Sequence, residues 1–327
     1  MSLQRFPGDD LAWQQIVNQL GSTSPYQSHS WAKFRLTDGW ECLRLISDDQ
    51  NAAIQILTKR YFGVSVGWAP GGPLGSPSAD LIRELPSLVR SQTSSTATYI
   101  RVSDFRTEHV PTHDQYLQSG WYRPRTTLAS GLTLTRSLPQ SSERLRSSYS
   151  KNWSRNLRRG EERLVTANRW DFPAAGEIAS LHRSVVETKG LSVGDWRTSQ
   201  QRLSEFTELF QSDLVVVRAL DELGNVCAIR GAVICGSTGF DFLAATSNDG
   251  RKLYASNVAL HQLFIELIHK GITKYDFGGV DPIANKGVYD FKHGAGGTEI
   301  RYEGEYETSS PSALRIPLST LVSLRLR

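Results

Sequence analysis

Only three cysteines occur in 327 residues, Cys42, Cys227 and Cys235, and no two of them form a C-x-x-C pair. Neither a disulfide framework nor a zinc site is indicated, and a reducing compartment is the simplest setting. No window reaches the roughly 18 continuous apolar residues that a membrane span needs. The first ten residues, MSLQRFPGDD, have no apolar core, so no signal peptide is predicted and the expected location is the cytoplasm. The seven histidines show neither H-E-x-x-H nor any short cluster, and no metal or cofactor is expected. A Walker A loop and a G-x-G-x-x-G behind a strand are also missing. Ser237 lies in Gly-Ser-Thr-Gly, not in the G-x-S-x-G elbow of a serine hydrolase.

What is present is globular: 39% hydrophobic and 21% charged residues, with a length that suits two domains. The net charge of +4 is small, but it is unevenly placed. Residues 138–170 carry eight basic side chains against three acidic ones, a local excess of +5. Within them Leu145, Tyr149, Trp153 and Leu157 recur at i+4 and form one helical stripe, with Lys151, Arg155, Arg158 and Arg159 on the opposite side. Such a face is either solvated or a contact surface for phosphates, for which arginine supplies bidentate donors.

The two halves share an order of elements. In the second, Leu214–Leu220, Val226–Cys235 and Phe240–Ala245 read as strands separated by turns. A polar loop, TSNDGRK, follows, then a helix over Ala255–Lys270 capped by Gly271, then a strand over Ile272–Phe277. In the first, strands at Cys42–Ile46, Ala52–Arg60 and Val64–Trp68 precede a Gly/Pro loop, a helix over Ala79–Ser91 and a strand over Thr98–Val102. A duplicated α/β unit is predicted, each copy a mostly antiparallel sheet flanked by helices, similar to the GNAT-type acyltransferase fold. The expected domains are 1–137 with 306–327, the acceptor side, and 138–305, the catalytic and donor side. The stretch Pro311–Arg327 reads as an edge strand and helix returning to the first domain, with peripheral contact to an anionic membrane as the second reading.

Three ordered motifs carry a family resemblance. They are Gln27-Ser28-His29-Ser30-Trp31-Ala32-Lys33, Ala69-Pro70-Gly71-Gly72-Pro73, and Tyr275-Asp276-Phe277-Gly278-Gly279 followed by Gly287 to Gly294, GVYDFKHG. Together they resemble the Fem family of peptide-bridge aminoacyltransferases in bacterial cell-wall synthesis. Gly71 stands where that family has arginine, and Ala295 where it has an aromatic residue.

The resemblance implies that Lys292, in a loop shaped by the surrounding glycines, sits near the reacting ester, where a cation would stabilise the oxyanion of acyl transfer. It likewise implies substrate contacts for Trp31 and Lys33, the latter with acceptor phosphates. Tyr275, Asp276, Gly278 and Gly279 belong to the same implied cleft. Asp276 is expected to fix the glycine turn rather than act as a base. Tyr254 and Asn257 at the start of a helix, and Lys189 in the loop after a helix over Leu181–Thr188, complete the substrate-binding candidates. Lys151, Arg155, Arg158 and Arg159 are the candidates for tRNA.

Two donors compete, and the partners expected follow from them. GNAT enzymes hold the CoA pyrophosphate on a Q/R-x-x-G-x-G/A loop. Counted from Arg251, the two glycine positions here hold Tyr254 and Ser256, whose side chains obstruct close backbone approach. Aminoacyl-tRNA is therefore the expected donor and an amine-bearing peptide or cell-wall precursor the acceptor, with an acyl-CoA-dependent N-acyltransferase as the alternative.

Overall fold

The computed structural model describes residues 2–107, 112–189 and 195–325, apart from the side chains of residues 112, 188, 189 and 323–325. It divides into two compact units, Met1–Thr133 with Ile300–Arg327, and Leu134–Glu299.

The first unit begins with β1 (Leu3–Arg5), α1 (Asp10–Gln19) and α2 (His29–Leu36). Three antiparallel strands follow, β2 (Glu41–Ser47), β3 (Ala52–Tyr61) and β4 (Val64–Pro70), with a short β5 (Leu74–Gly75) paired to β3. Helix α3 (Ala79–Gln92) leads to β6 (Ala97–Thr107), which lies parallel to β4, and α4 (Thr112–Gln118) follows. The Q-S-x-x-W stretch is locally structural. Ser28 accepts the Trp31 N–H at 3.1 Å and caps α2. The buried Gln27 amide donates to the carbonyls of Pro70 and Gln55 and accepts the Gln55 N–H. A Cβ on Gly72 would lie 2.9 Å from that amide, so the first two motifs require each other for packing.

The second unit runs β7 (Leu132–Ser137), α5 (Glu143–Ser147), α6 (Lys151–Glu162), β8 (Thr166–Arg169), α7 (Ala175–Lys189) and α8 (Gln200–Leu209). Then come β9 (Leu214–Leu220), β10 (Val226–Cys235), β11 (Thr238–Thr246), α9 (Asn248–Lys252), α10 (Ala255–His269), β12 (Lys274–Gly279) and α11 (Lys286–Gly294). Its strand order is β7-β12-β11-β10-β9-β8. The chain ends in β13 (Thr298–Ser310), antiparallel to β6, and α12 (Arg315–Arg325). Each unit thus repeats three antiparallel strands, a helix and a strand parallel to the third, the predicted α/β architecture.

Four local expectations are corrected. The basic segment is two helices, because Ser150 leaves helical geometry, accepts the Trp153 N–H and caps α6. Its stripe is still buried at all four positions. TSNDGRK is not a loop: Ser247 accepts the Gly250 N–H at 2.9 Å and starts α9. The last strand starts two residues late, because the Ile272 N–H bonds back to the Leu267 carbonyl and closes α10. Finally, Pro311–Arg325 contains no strand, only a short turn of helix and α12. Among the described residues no helix is long and apolar enough to cross a membrane.

Candidate active site

Strands β11 and β12 run parallel for only three residue pairs, from Thr238↔Lys274 to Phe240↔Asp276, and then separate. Two local features produce the fork. On one arm a β-bulge shifts register between Gly231 and Ala232 of β10, leaving Phe242 as the extra residue beside Asp241. On the other, Gly278 takes a φ of +69°, which an L side chain would strain. The Asp276 carboxylate accepts the Gly278 N–H at 2.8 Å and fixes that turn.

Buried charge collects where the strands part. Lys292 is 9% exposed. It lies on α11, not in the expected loop: the glycines around it frame a helix that packs on the start of α6. There the Ser150 N–H donates to the Gly294 carbonyl at 3.0 Å, and a Cβ on Gly294 would lie 3.1 Å from Ser150 Oγ. From this helix the Lys292 ammonium reaches β12 and donates to the carbonyls of Phe277 at 2.5 Å and Gly279 at 3.3 Å. Burial pushes its pKa down; Asp241 opposes that shift, Arg230 adds to it, and Asp276 opposes it.

Arg230 and Asp241 escaped the sequence reading. Arg230 Nη1 lies 3.5 Å from Asp241 Oδ2, and Nη2 donates to Ser256 Oγ at 2.8 Å. The guanidinium also sits 4.9 Å from the Phe291 ring centroid, next to Lys292. Their signal was in plain view: each is a lone charge inside an apolar strand, AIRGAV and FDFLA. Burial raises the Asp241 pKa, against the lowering influence of Arg230 and Lys292. Tyr275 is fully buried on β12, and burial first, then the Asp241 charge, raises its phenol well above the ordinary value. The Tyr275 hydroxyl and the Asp241 carboxylate are hydrogen-bonded to each other, while Arg230 Nε and Asn257 Nδ2 have no hydrogen-bond partner.

Of the predicted substrate residues, the fork gathers Lys292, Tyr275, Asp276, Gly278 and Gly279, with Asn257 beside Ser256. Tyr254 is elsewhere engaged: it precedes α10 at a φ of +57°, and its hydroxyl accepts from Arg159 at 3.2 Å. Arg163 stacks on the same ring at 5.1 Å and donates to the Lys252 carbonyl. Lys189 ends α7 instead of lying in a loop, and its side chain is outside the described residues. In the other unit Trp31 is 3% exposed and packs on Tyr26 and Phe34. Lys33 is half-exposed and bonds Asp10 at 3.0 Å. It opens on a pocket of about 420 Å³ shared with Arg5, Asp10, Glu41 and Arg44.

On α6, Lys151, Arg155, Arg158 and Arg159 are exposed. Arg158 pairs with Glu162 at 3.3 Å, and Arg155 bonds Asn152. The helix lies against α10 through Gly160, whose added Cβ would come within 2.7 Å of Val258.

The model of the FemAB family matches residues 188–321, which include the fork and α11. The crystal structure of FemX superposes with a TM-score of 0.78 at 14% identity, covering 93% of this chain and 96% of that one. A tandem GNAT protein from the clavulanic acid biosynthesis pathway gives 0.56 at 10% identity, covering 94% and 98%. L-PGS from Bacillus licheniformis gives 0.55 at 14%, covering 91% of each chain. No curated protein matches the sequence. The family model thus covers the segment that carries the fork, and the structural matches show that the whole chain shares the fold of FemX and of tandem GNAT proteins.

Proposed function

We propose that this chain moves an aminoacyl group from aminoacyl-tRNA onto an amine of a cell-wall precursor or natural-product peptide. The observation that carries the reading is the buried Lys292 ammonium at the β11/β12 fork. An ammonium has three hydrogens, and two are given to the carbonyls of Phe277 and Gly279. The third remains for the oxyanion that forms when an amine attacks the ester carbonyl. Held by two backbone acceptors away from bulk water, that charge needs no reorganisation as the transition state develops. The aminoacyl ester is already activated, so positioning and electrostatics carry the chemistry without a covalent intermediate.

Two surfaces support the choice of donor. The exposed cations of α6 suit a phosphate backbone. The start of α10, where a pyrophosphate would need bare backbone, instead carries Tyr254 under Arg159 and Arg163, and Ser256 bonded to Arg230. The open pocket around Lys33 supplies cations for an acceptor phosphate.

Incubation with total charged tRNA, labelled in its amino acids, tests the reading. Label should pass to a lysine-bearing peptidoglycan-precursor peptide in a reaction abolished by RNase. RNase-insensitive transfer with thiol release from acetyl-CoA would replace the tRNA donor by acyl-CoA.

A further inference from the structure

The first unit carries a surface that the transfer reading leaves unused, and the register of its sheet assembles it. Strands β3 and β4 pair from Tyr61↔Val64 onward, so the turn between them has two residues, Phe62 and Gly63. Val64 pairs with Ala97 at the start of β6, and Thr98 pairs with Ser310 at the end of β13. The β3–β4 turn, the turn at 93–96 and the start of the C-terminal helical segment therefore share one end of the sheet. Val64 and Ser310 are two strand spacings apart, about 10 Å.

Apolar side chains stand out from this end. Phe62 is fully exposed, and Tyr61, Leu314 and Ile316 are exposed as well. A lone exposed apolar residue is ordinary, but the backbone holds Phe62 there against its preference. Its φ is +48° and that of Gly63 is +81°. Two positive values belong to a type I′ hairpin turn, whose first position favours asparagine, aspartate or glycine, and a bulky residue there is a steric outlier. Helix α12 is inverted in the same sense. Ser319 is buried and donates to Glu307 at 2.7 Å, while Ile316 and Leu321 are more than half exposed.

Charge at this end has one sign. Residues 58–64, 90–97 and 310–316 hold four cations, Lys59, Arg60, Arg90 and Arg315, and no acid. Arg315 is committed to the buried Glu307. The Lys59 ammonium lies 5.0 Å from the Trp40 ring centroid, and Arg60 donates to the Thr93 carbonyl at 3.2 Å. Those contacts hold both cations beside the turn without bringing a negative charge to them. The neighbouring β2 adds one carboxylate, Glu41, opposite Thr58.

We propose that this end of the first unit docks on an anionic lipid surface, with Phe62 entering the interface and Lys59 and Arg60 meeting lipid phosphates. Docking of this kind does not depend on the transfer reading. Aromatic and aliphatic side chains on protruding turns, set between cations, suit the boundary of headgroups and acyl chains. A second copy of the chain fits worse, since an isologous contact sets these cations against themselves. A single-stranded nucleic acid would stack on Phe62 but has no use for Leu314, Ile316 and Leu321.

Co-sedimentation of the full chain with vesicles of equal parts phosphatidylglycerol and phosphatidylcholine is the test. Wild type should bind these vesicles and stay mostly unbound with phosphatidylcholine alone. Phe62→Asn should lower the partition coefficient about tenfold or more, while its unfolding midpoint stays level or rises, because asparagine suits the turn. Ile316→Gln, on the other arm, should lower the partition coefficient by a smaller factor. Lys59→Gln should lower it about fivefold, on the anionic vesicles and at low salt only. No binding by wild type, or equal binding by wild type and the two apolar variants, overturns the proposal. So does either competing partner. One would show as a dimer in sedimentation velocity without lipid that Phe62→Asn dissolves. The other would show as weaker retention of total tRNA by Phe62→Asn while its vesicle binding persists.

Discussion

The same pair of parallel strands is closed in one unit and open in the other. In the first unit β4 and β6 stay paired over seven residues, from Val64↔Ala97 to Pro70↔Ser103. In the second, β11 and β12 part after three. The charges beside them differ in the same sense. Arg101 is 2% exposed and donates to Tyr99, to the Thr126 carbonyl and to Glu307. Glu307 also accepts from Tyr99, Arg315 and Ser319, and Glu305 accepts the N–H groups of Leu128 and Ala129. This network is internally complete. At the fork, by contrast, the buried Arg230 and Asn257 each keep an unpartnered atom. A duplicated scaffold thus uses buried charge as structure in one copy and leaves it available for a ligand in the other.

The largest way to break that contrast is to remove Arg101. Arg101→Met removes the cation facing Glu305 and one of the two, with Arg315, that face Glu307, and should cost about 3–5 kcal/mol of unfolding free energy. Denaturant unfolding measures it, and the kcat of the folded fraction should be unchanged. The reciprocal variant is Lys292→Ala, expected to lower kcat about 10²–10³-fold, the range for one lost oxyanion donor. Acceptor Kd from calorimetry should stay within about threefold. Equal turnover in wild type and Lys292→Ala would remove the oxyanion role and erase the difference between the units.

How far the residues disclosed this contrast depends on the kind of information. Periodicity placed β9 and β10 at their observed limits, because strands buried on one register leave a hydrophobic signature. The repeated order of elements was legible for the same reason. Helix breaks were not, since Ser150 and Ser247 act through single capping bonds that a periodic count ignores. The third motif led to Lys292 but misjudged its setting: GVYDFKHG carries glycines at both ends and folds as a helix. Arg230 and Asp241 were missed because their meaning lies across strands, in a register that only the bulge sets.

An effect of intermediate size comes from His182 on α7, which is 4% exposed with Nε2 unpartnered. Burial, aided by Arg197 and opposed by Asp195, brings its pKa down to about 4 from 6.5. Between those values the unfolded chain holds a proton that the folded chain does not. Stability is therefore complete above about pH 6.5 and is lost as pH falls toward 4, by up to about 1.4 kcal/mol per pH unit from this group. His182→Leu should flatten that slope relative to wild type in denaturant unfolding across the window. A slope identical in the two proteins would show that the second unit carries no such pH-dependent cost there.

The smallest effect separates the helix that carries Lys292 from the one it packs against. Ser150 does two things: its hydroxyl accepts the Trp153 N–H at 3.3 Å, and its backbone N–H donates to the Gly294 carbonyl at 3.0 Å. Ser150→Ala removes the first and keeps the second. The loss of an N-cap should cost about 1 kcal/mol of stability, while α11 stays anchored and Lys292 keeps its carbonyl partners. Turnover should then remain within about twofold of wild type as the unfolding midpoint falls. A large fall in kcat with little loss of stability would mean that the start of α6 sets the position of the ammonium. In that case the open unit would depend on the basic helix for its chemistry as well as for its charged face.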